Sequence, residues 1–519
     1  MKFTKIFTLT AALLGTVTLG AQHKSTVTIN GAQADGTIIP KEIYGQFSEH
    51  LGSCIYGGLW VGKDSDIPNE DGYRLDVLNA LKNLQVPVMR WPGGCFADDY
   101  HWRDGIGPQS ERPYISNNNW GGTIEDNSFG THEFLNLCEK LGCEPYISGN
   151  VGSGTVEELA KWVEYMTSDA HSTMADLRRK NGREEPWKVK YLGIGNECWG
   201  CGGQMRPEHY VDVYRQFAGY CRNYGGNRLY KIASGPSDYD YNWSETLIKG
   251  IGSNMNGMSL HYYAVRDWNK SKGSATVFGE EDYYLTLAKA IDIETPIKAH
   301  IAILDRYNPE GNVDLLVDEW GTWWDVEPGT NPGHLFQQST MRDAIVASLS
   351  LDIFHKYTRR VKMANIAQVV NVLQAMVLTK GDQMILTPTY HVFEMYKVHQ
   401  DAEFLPVSYN TDANAVGVGE SVPCLSVTAS RKDGVINVDF TNTDLKNSNE
   451  ITLTWTNLGI DPKNANVEAR ILTADKVTDY NEFGKPAKVA PKEFKKIKTS
   501  KDGITFTLPA MSIVAVSIK

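Results

Sequence analysis

Short apolar runs alternate with segments of helical period over most of the chain. Four leucines (Leu75, Leu78, Leu81 and Leu84) recur at three-residue spacing, as one face of a helix would. The apolar runs on either side of them have the length of buried strands. Eight such runs follow one another, at residues 43–47, 86–90, 146–148, 189–195, 231–235, 258–261, 314–319 and 364–372. The pattern therefore predicts one β/α series with eight strands.

Such a series across residues 41–398 fits an α/β fold, a (β/α)₈ TIM barrel whose active site lies at the carboxyl ends of the strands. A doubly wound open sheet is the structural alternative, but no glycine-rich phosphate loop follows the first run. Polar residues also stand at or just beyond the ends of many runs: Glu49, Arg90, Asn150, Glu197, His261 and Glu319. In a barrel these ends converge on one mouth.

The pattern changes in the last part of the chain. Two alternating runs flank Asp433-Gly434, a strong hairpin signal, and four more short runs follow without helical periodicity. Residues 399–519 are therefore predicted to form a C-terminal β-sandwich, jelly-roll-like in form. A strand within residues 22–40 is expected to pack with it.

The first residues have the pattern of a secretory signal. Lys2 and Lys5 precede an apolar run at residues 6–19, and small residues follow at Gly20 and Ala21. We expect residues 1–21 to be a cleaved signal peptide rather than a retained anchor, because the run is short and no basic cluster ends it. The mature protein is expected to be exported, to the periplasm or the medium.

Composition narrows the range of partners. The 519 residues are 41% hydrophobic and 22% charged, as in soluble globular proteins, and no later stretch is apolar for long enough to span a membrane. The formal charge of −11 argues against nucleic acid, whose backbone attracts basic surfaces. A neutral substrate fits an acidic protein better.

Two pairs of the eight cysteines are close in sequence. Cys198 and Cys201 form a C-x-x-C directly after Glu197, and Cys138 and Cys143 flank the end of a predicted helix. Zinc would need a second such pair or suitably spaced histidines. We therefore favour a local Cys198–Cys201 disulfide or packed thiols over a metal or redox role.

Glu197 and Glu319 end the fourth and seventh predicted strands. Glycoside hydrolysis needs two carboxyl groups, one to protonate the departing oxygen and one to attack or to activate water. Each residue alone is equally consistent with an ordinary strand-end acid, but the pair in one barrel favours catalysis. Both proton transfer and attack are then done by carboxyl groups, so no metal or organic cofactor is expected.

Neighbouring residues fit a sugar site. The Asn196 amide could bond a sugar hydroxyl, Arg90 could orient an acid or form a structural salt bridge, and His261 could hold Glu319. Six tryptophans lie close to predicted strand ends, where flat faces can pack on a sugar ring. They are Trp91, Trp102, Trp199, Trp320, Trp323 and Trp324, and we expect at least half of them to be structural.

These segments closely resemble the α-L-arabinofuranosidases of glycoside hydrolase family 51. The matching pieces are IYGQFSEHLG (43–52), MRWPGGCFADDYHWRDGIGP (89–108), LGIGNE (192–197), SLHYY (259–263), VDEWGTWW (317–324) and AQVVNVL (367–373). They cover most of the predicted barrel in the family's order.

The resemblance implies retaining hydrolysis, with Glu197 as acid/base and Glu319 as nucleophile. It implies that the arabinofuranosyl unit is held by Glu49, Cys95, Asn196, Tyr263 and Gln368, with Arg90, His261 and Trp323 around the pocket. It also implies the barrel and C-terminal sandwich, and an assembly that is often homo-oligomeric.

The leading hypothesis is an exo-acting α-L-arabinofuranosidase that releases terminal arabinose from arabinan, arabinoxylan or derived oligosaccharides. The alternative is an endo-β-glycanase on the same scaffold, which would need an open cleft instead of a pocket. A carbohydrate-binding protein without catalysis is a third hypothesis, and the intact pair of glutamates argues against it.

Overall fold

Eight parallel strands close into a barrel in which each pairs with the next along the chain and the last pairs with the first. The computed structural model describes residues 22–412 and 415–519, so the predicted signal peptide lies outside the described residues. The barrel strands are Gly45–Phe47, Val88–Trp91, Glu144–Gly149, Tyr191–Ile194, Tyr230–Ala233, Gly257–Ala264, Asp314–Thr322 and Val361–Ala367. Each of the eight predicted runs overlaps one of them, and the predicted fold class is confirmed.

Helices surround the barrel, and the interior of the barrel is filled by side chains. A buried cluster inside it joins residues from six strands: Val88, Tyr146, Tyr191, Ile232, Leu316 and Met363. The α-helices of the described chain are Leu75–Leu84, Thr131–Leu141, Val156–Thr167, Thr173–Lys180, Pro207–Tyr220, Tyr241–Gly250, Glu280–Ile291, Glu294–Tyr307, Met341–Lys356 and Pro388–Tyr396. The packed interior leaves only the strand ends and their loops to form a site. Of these helices, none combines the length and apolar character needed to cross a bilayer.

Two antiparallel-rich sheets pack into the C-terminal sandwich. One contains, in spatial order, Val407–Thr411, His23–Asn30, Asn449–Thr456, Gly503–Leu508 and Ile497–Ser500. The other contains Glu403–Phe404, Leu425–Lys432, Val435–Asn442, Ser512–Ile518, Val467–Thr473 and Lys492–Glu493. The N-terminal strand lies inside the first sheet, parallel to Asn449–Thr456 and antiparallel to Val407–Thr411. The division of the chain at residues 40 and 398 stays a prediction.

Short hairpins extend the loops, at Asn69–Glu70 with Tyr73–Arg74, at Ile115–Asn117 with Thr123–Glu125 and at Val377–Lys380 with Gln383–Leu386. The helix Met341–Lys356 is buried almost throughout because it lies between barrel and sandwich. Its His355 ring contacts the Tyr44 hydroxyl and the Thr428 hydroxyl, each at 2.9 Å. These polar contacts connect the barrel to the sandwich.

Candidate active site

Glu197 lies in the turn that follows the fourth barrel strand. Its backbone φ is 40°, in the left-handed region that residues other than glycine rarely adopt. Such a conformation costs about 1–3 kcal/mol and persists only where the surrounding structure imposes it. Its Oε1 lies 2.8 Å from His261 Nδ1, so the turn directs the carboxyl group into the mouth of the barrel.

Glu319 lies within the seventh strand, where pairing with the eighth strand shifts register between Val317 and Trp320. Irregularities of this kind re-aim side chains near active sites. Arg90 Nη1 donates to Glu319 Oε1 at 2.8 Å, and the Tyr263 hydroxyl donates to Oε2 at 2.9 Å. Carboxylate oxygens of Glu197 and Glu319 lie within 4.8 Å of each other.

His261 lies among three carboxyl groups. Its Nδ1 is 2.8 Å from Glu197 and 3.4 Å from Glu319, and its Nε2 is 3.2 Å from Asp318. Burial works to lower the pKa of His261, but the charges of Glu319 and Asp318 outweigh burial and raise this pKa to about 10. Near neutral pH the ring is therefore an imidazolium that donates through both nitrogens.

The pKa values of the two neighbouring acids of the seventh strand, Glu319 and Asp318, are shifted in opposite directions. Burial raises the pKa of Glu319, although His261 and Arg90 oppose the rise. Burial also works to raise the pKa of Asp318, but there Arg90, His261 and the Tyr146 hydroxyl at 2.7 Å prevail and lower it. Asp318 is thus a fixed negative charge behind the site.

A further buried carboxyl group, Glu49, follows the first strand. Its Oε1 accepts from Trp120 Nε1 at 2.9 Å and from the Phe96 amide at 3.0 Å, and its Oε2 accepts from Gln368 at 3.0 Å. Burial, with the charge of Glu319, raises the pKa of Glu49 to about 7. The group is therefore poised to change charge near neutral pH.

The glycine pair after the second strand lets the backbone approach both acids. A Cβ on Gly93 would lie 2.7 Å from Glu49 Cγ, and a Cβ on Gly94 would lie 3.0 Å from Glu319 Oε1. Atoms at such distances must move, so larger residues at these positions would displace the acids. The two glycines thus leave room for the side chains of Glu49 and Glu319.

The acids face a small pocket with a cavity volume of about 70 Å³. Seven of the ten predicted site residues line it: Glu49, Cys95, Glu197, Tyr263, Glu319, Trp323 and Gln368. The other three, Arg90, Asn196 and His261, bond to the group from behind, with Arg90 Nη2 donating to Asn196 Oδ1 at 2.6 Å. Larger cavities on the sandwich and at its junction with the barrel contain neither catalytic candidate.

Cys95 forms a disulfide with Cys201 across the rim of this pocket. Of the two alternatives predicted for Cys198 and Cys201, the local disulfide is therefore wrong, and a packed thiol applies to Cys198 alone. The turn after Glu197 directs Cys198 into the interior, where it is a free buried thiol, and leaves Cys201 at the pocket. Cys138 and Cys143 are also free and buried.

Sequence reasoning missed several residues that shape the site. Trp120 comes from the hairpin loop after the second strand, and its only signal was an aromatic ring in a polar stretch. Asp318 stood beside Glu319 at a strand end and was given no role. The Asp98 carboxylate accepts hydrogen bonds from the backbone amide of Asn196 at 2.9 Å and from the backbone amide of Val151 at 2.8 Å. These bonds fix the turn that carries Glu197.

The tryptophans are mostly structural, as expected. Trp91, Trp102, Trp320 and Trp324 are buried. Trp199 is half-buried and donates to the Gly235 carbonyl at 3.1 Å, whereas Trp323 lines the pocket and packs edge-on against Tyr263.

Comparison with known proteins identifies the family. Residues 80–279 match the family described as "Alpha-L-arabinofuranosidase 1 domain", and residues 318–512 match "Alpha-L-arabinofuranosidase C-terminal domain". A Bacteroides ovatus protein named "Intracellular exo-alpha-L-arabinofuranosidase" is 62% identical over 516 residues, which cover 99% of each chain. A crystal structure of the family 51 arabinofuranosidase from Xanthomonas axonopodis pv. citri has 47% identity and a TM-score of 0.93, and covers 96% of this chain and 100% of its own. The chain belongs to the family 51 α-L-arabinofuranosidases.

The predicted family and activity are thereby confirmed for this α-L-arabinofuranosidase. A more distant structure, the Thermotoga maritima α-L-arabinofuranosidase in complex with arabinose, is similar at 28% identity with a TM-score of 0.80. It covers 95% of this chain and 99% of its own.

The prediction of export is contradicted, because the Bacteroides relative is named an intracellular enzyme. The prediction rested on two lysines and an apolar run at residues 1–21. Such a run is only a compositional pattern, and apolar residues alone do not determine whether a segment is translocated or cleaved.

Proposed function

We propose that Glu197 and Glu319 hydrolyse terminal α-L-arabinofuranosyl linkages by double displacement, with retention of the anomeric configuration. The observation that carries this proposal is the short separation of the two carboxyl groups, because one oxygen of Glu197 lies within 4.8 Å of one oxygen of Glu319. Retaining enzymes hold the pair about 5–5.5 Å apart, whereas inverting enzymes need about 6.5–9.5 Å to admit a water molecule.

In the first step a Glu319 oxygen attacks the anomeric carbon and the glycosidic C–O bond breaks. Arg90 and Tyr263 each bind one Glu319 oxygen, so the carboxylate is held in one orientation before attack. The departing oxygen takes the proton of Glu197, and the alcohol leaves.

Glu197 can deliver this proton from Oε2. Its Oε1 is occupied by the His261 imidazolium, while Oε2 faces the Cys95–Cys201 disulfide, whose sulfurs carry no proton to donate. The Asp318 charge holds His261 from the other side at 3.2 Å. His261 is therefore a positioning residue for Glu197.

In the second step Glu197 removes a proton from water, the water oxygen attacks the anomeric carbon, and the bond to Glu319 breaks. Glu319 carries no charge while it is esterified, so the Glu197 carboxylate forms without a like charge beside it. Both acids return to their starting states.

The small pocket supports exo action on a single terminal sugar. Glu49 and Gln368 offer an acceptor and a donor to the sugar's hydroxyl groups, and Trp323 and Tyr263 supply flat surface. The substrates we propose are arabinan, arabinoxylan and their oligosaccharides. A homo-oligomeric state and the absence of nucleic acid partners stay predictions.

The test compares hydrolysis of aryl α-L-arabinofuranosides, aryl β-D-xylosides and a soluble glucan, with NMR of the first-formed anomer. We expect arabinose alone, released first as the α-anomer. Glu197→Ala should lose about 10²–10⁴-fold in rate on substrates with poor leaving groups. On an aryl arabinofuranoside whose activated leaving group departs without a proton, azide should restore turnover by attacking the arabinosyl-enzyme, with α-arabinofuranosyl azide as product. The control is Glu394→Ala, which removes a similarly buried acid that pairs with Arg470. This variant should hydrolyse the arabinofuranosides at the wild-type rate, with and without azide. First release of the β-anomer would refute retention, and activity confined to internal glucan bonds would favour the endo-β-glycanase.

A further inference from the structure

The disulfide at the pocket rim faces one oxygen of a catalytic candidate. Cys95 begins the short helical turn Cys95–Asp98 after the second barrel strand, and Cys201 lies in the loop after the fourth. Their sulfurs lie 3.9 Å and 3.5 Å from Glu197 Oε2. Cys201 is exposed to solvent, so a small reductant can reach the bond.

We infer that reduction of the Cys95–Cys201 disulfide creates a site for one thiophilic divalent cation, held by both thiolates and the Glu197 carboxylate. In the reduction the disulfide takes two electrons and two protons. With a phosphine as reductant, phosphorus is oxidised to the phosphine oxide with oxygen from water. The cation then displaces the two thiol protons.

The distances fit tetrahedral coordination. Zinc binds thiolate sulfur at about 2.3 Å and carboxylate oxygen at about 2.0 Å, so tetrahedral angles place sulfur about 3.5 Å from oxygen and about 3.8 Å from the second sulfur. The Cys201 distance of 3.5 Å already matches, whereas the Cys95 distance of 3.9 Å must shorten slightly. The two sulfurs must also separate, and the solvent-facing side supplies a fourth ligand.

The donor set selects a soft or borderline cation over magnesium or calcium. Thiolates prefer zinc and similar metals, whereas hard cations prefer oxygen alone. The three anionic ligands carry more negative charge than the divalent cation carries positive charge, so the charge of the cation is fully compensated at the rim of the pocket. Of the six other cysteines, none belongs to a comparable cluster in the part of the chain that the structure describes.

The consequence for catalysis rests on the proposed function, but the binding does not. A cation on Glu197 Oε2 would occupy the atom that passes the proton in the proposed mechanism. Zinc would therefore leave the hydrolysis rate of the oxidised enzyme unchanged and would inhibit the reduced enzyme reversibly.

The experiment follows Co²⁺ as a spectroscopic probe and Zn²⁺ as an inhibitor, on the full-length enzyme before and after phosphine reduction. We expect one equivalent of Co²⁺ to give a thiolate charge-transfer band only in the reduced enzyme. Stoichiometric Zn²⁺ should lower the hydrolysis rate by more than about tenfold, and a chelator should restore it. Cys201→Ser should lose the charge-transfer band. It should also lose the inhibition by zinc, with the hydrolysis rate of each enzyme compared with the rate of the same enzyme without metal.

Two further variants locate the ligands. Glu197→Gln should bind Co²⁺ more than about tenfold more weakly while keeping the band, because one ligand loses its charge. Cys143→Ser, a change in the other close cysteine pair, should respond to zinc as the wild type does. Far-UV circular dichroism establishes that each variant is folded.

Absence of a thiolate band in the reduced enzyme would overturn the site, and so would equal Co²⁺ affinity in Glu197→Gln. A band with full hydrolysis at saturating zinc would support the cation site but refute the proposed role of Glu197. The two failures are therefore distinguishable.

Discussion

Arg90 offers the most informative single perturbation of the site. Its guanidinium is buried on the Phe47 ring, with its central carbon 4.5 Å from the ring centroid, and it donates to Glu319 and Asn196. Its Nε also lies 3.9 Å from Asp318. Arg90→Gln would remove the positive charge that faces two buried carboxylates.

The size of the effect follows from burial. Removing one partner of a buried ion pair costs about 3–5 kcal/mol, because the remaining charge stays out of water. Applied to Glu319, about 3 kcal/mol corresponds to a loss of more than about a hundredfold in kcat/KM at pH 7. Without Arg90 the pKa of Glu319, which burial already raises, rises further. The nucleophile is then ionised only at higher pH, so the acidic limb of the rate profile moves upward.

The assay is kcat/KM for an aryl α-L-arabinofuranoside across the pH range, with thermal unfolding of the same samples. Arg90→Lys keeps the charge without the two-pronged geometry, so its loss should be smaller. Arg74→Gln is the matched control, because Arg74 is equally buried and donates to Asp76 and to backbone carbonyls. It should lower the melting temperature and leave the pH profile unchanged.

A folded Arg90→Gln enzyme with wild-type kcat/KM at pH 7 and an unmoved acidic limb would refute this reasoning. The ion pair would then be structural, and the ionisation of Glu319 would depend on His261 alone.

Three further changes test other parts of the site. The pKa of Glu49, about 7 when folded against 4.5 when unfolded, means that the folded state holds this proton more tightly. Protonation of Glu49 therefore contributes fully to the free energy of unfolding below pH 4.5, and up to about 3 kcal/mol of this contribution is lost as the pH rises to 7. Glu49→Gln should abolish that loss in unfolding experiments. Gly94→Ala should lower kcat by more than about tenfold, because the new methyl group meets Glu319 Oε1; an unchanged kcat would show that the acid moves freely. Trp120→Phe removes one donor to Glu49, so kcat/KM should fall by about tenfold, and equal rates would exclude a role for that bond.

The barrel could be read from the sequence because each strand and helix is encoded locally. The period of the leucines between residues 75 and 84 and the short apolar runs predicted elements that the structure contains. The carboxyl ends of parallel strands meet at one mouth, so topology alone brought Glu197 and Glu319 together.

Contacts between distant loops could not be read in this way. Cys201 lies close to Cys198 in the sequence but forms its disulfide with Cys95, 106 positions away. The turn after Glu197 points Cys198 and Cys201 in different directions. Trp120 reaches Glu49 from a hairpin loop, whose course depends on tertiary packing. The interior position of Asp318 depends on a register shift in the seventh strand, which no periodicity reveals.

The most direct test of the double-displacement mechanism is mass spectrometry of the trapped enzyme. Glu197→Ala would be mixed with an arabinofuranoside carrying a highly activated leaving group, quenched in acid and digested. The mechanism predicts one pentosyl group attached to the peptide that contains Glu319. A pentosyl group on another residue, or leaving-group release without any covalent adduct at saturating substrate, would contradict it.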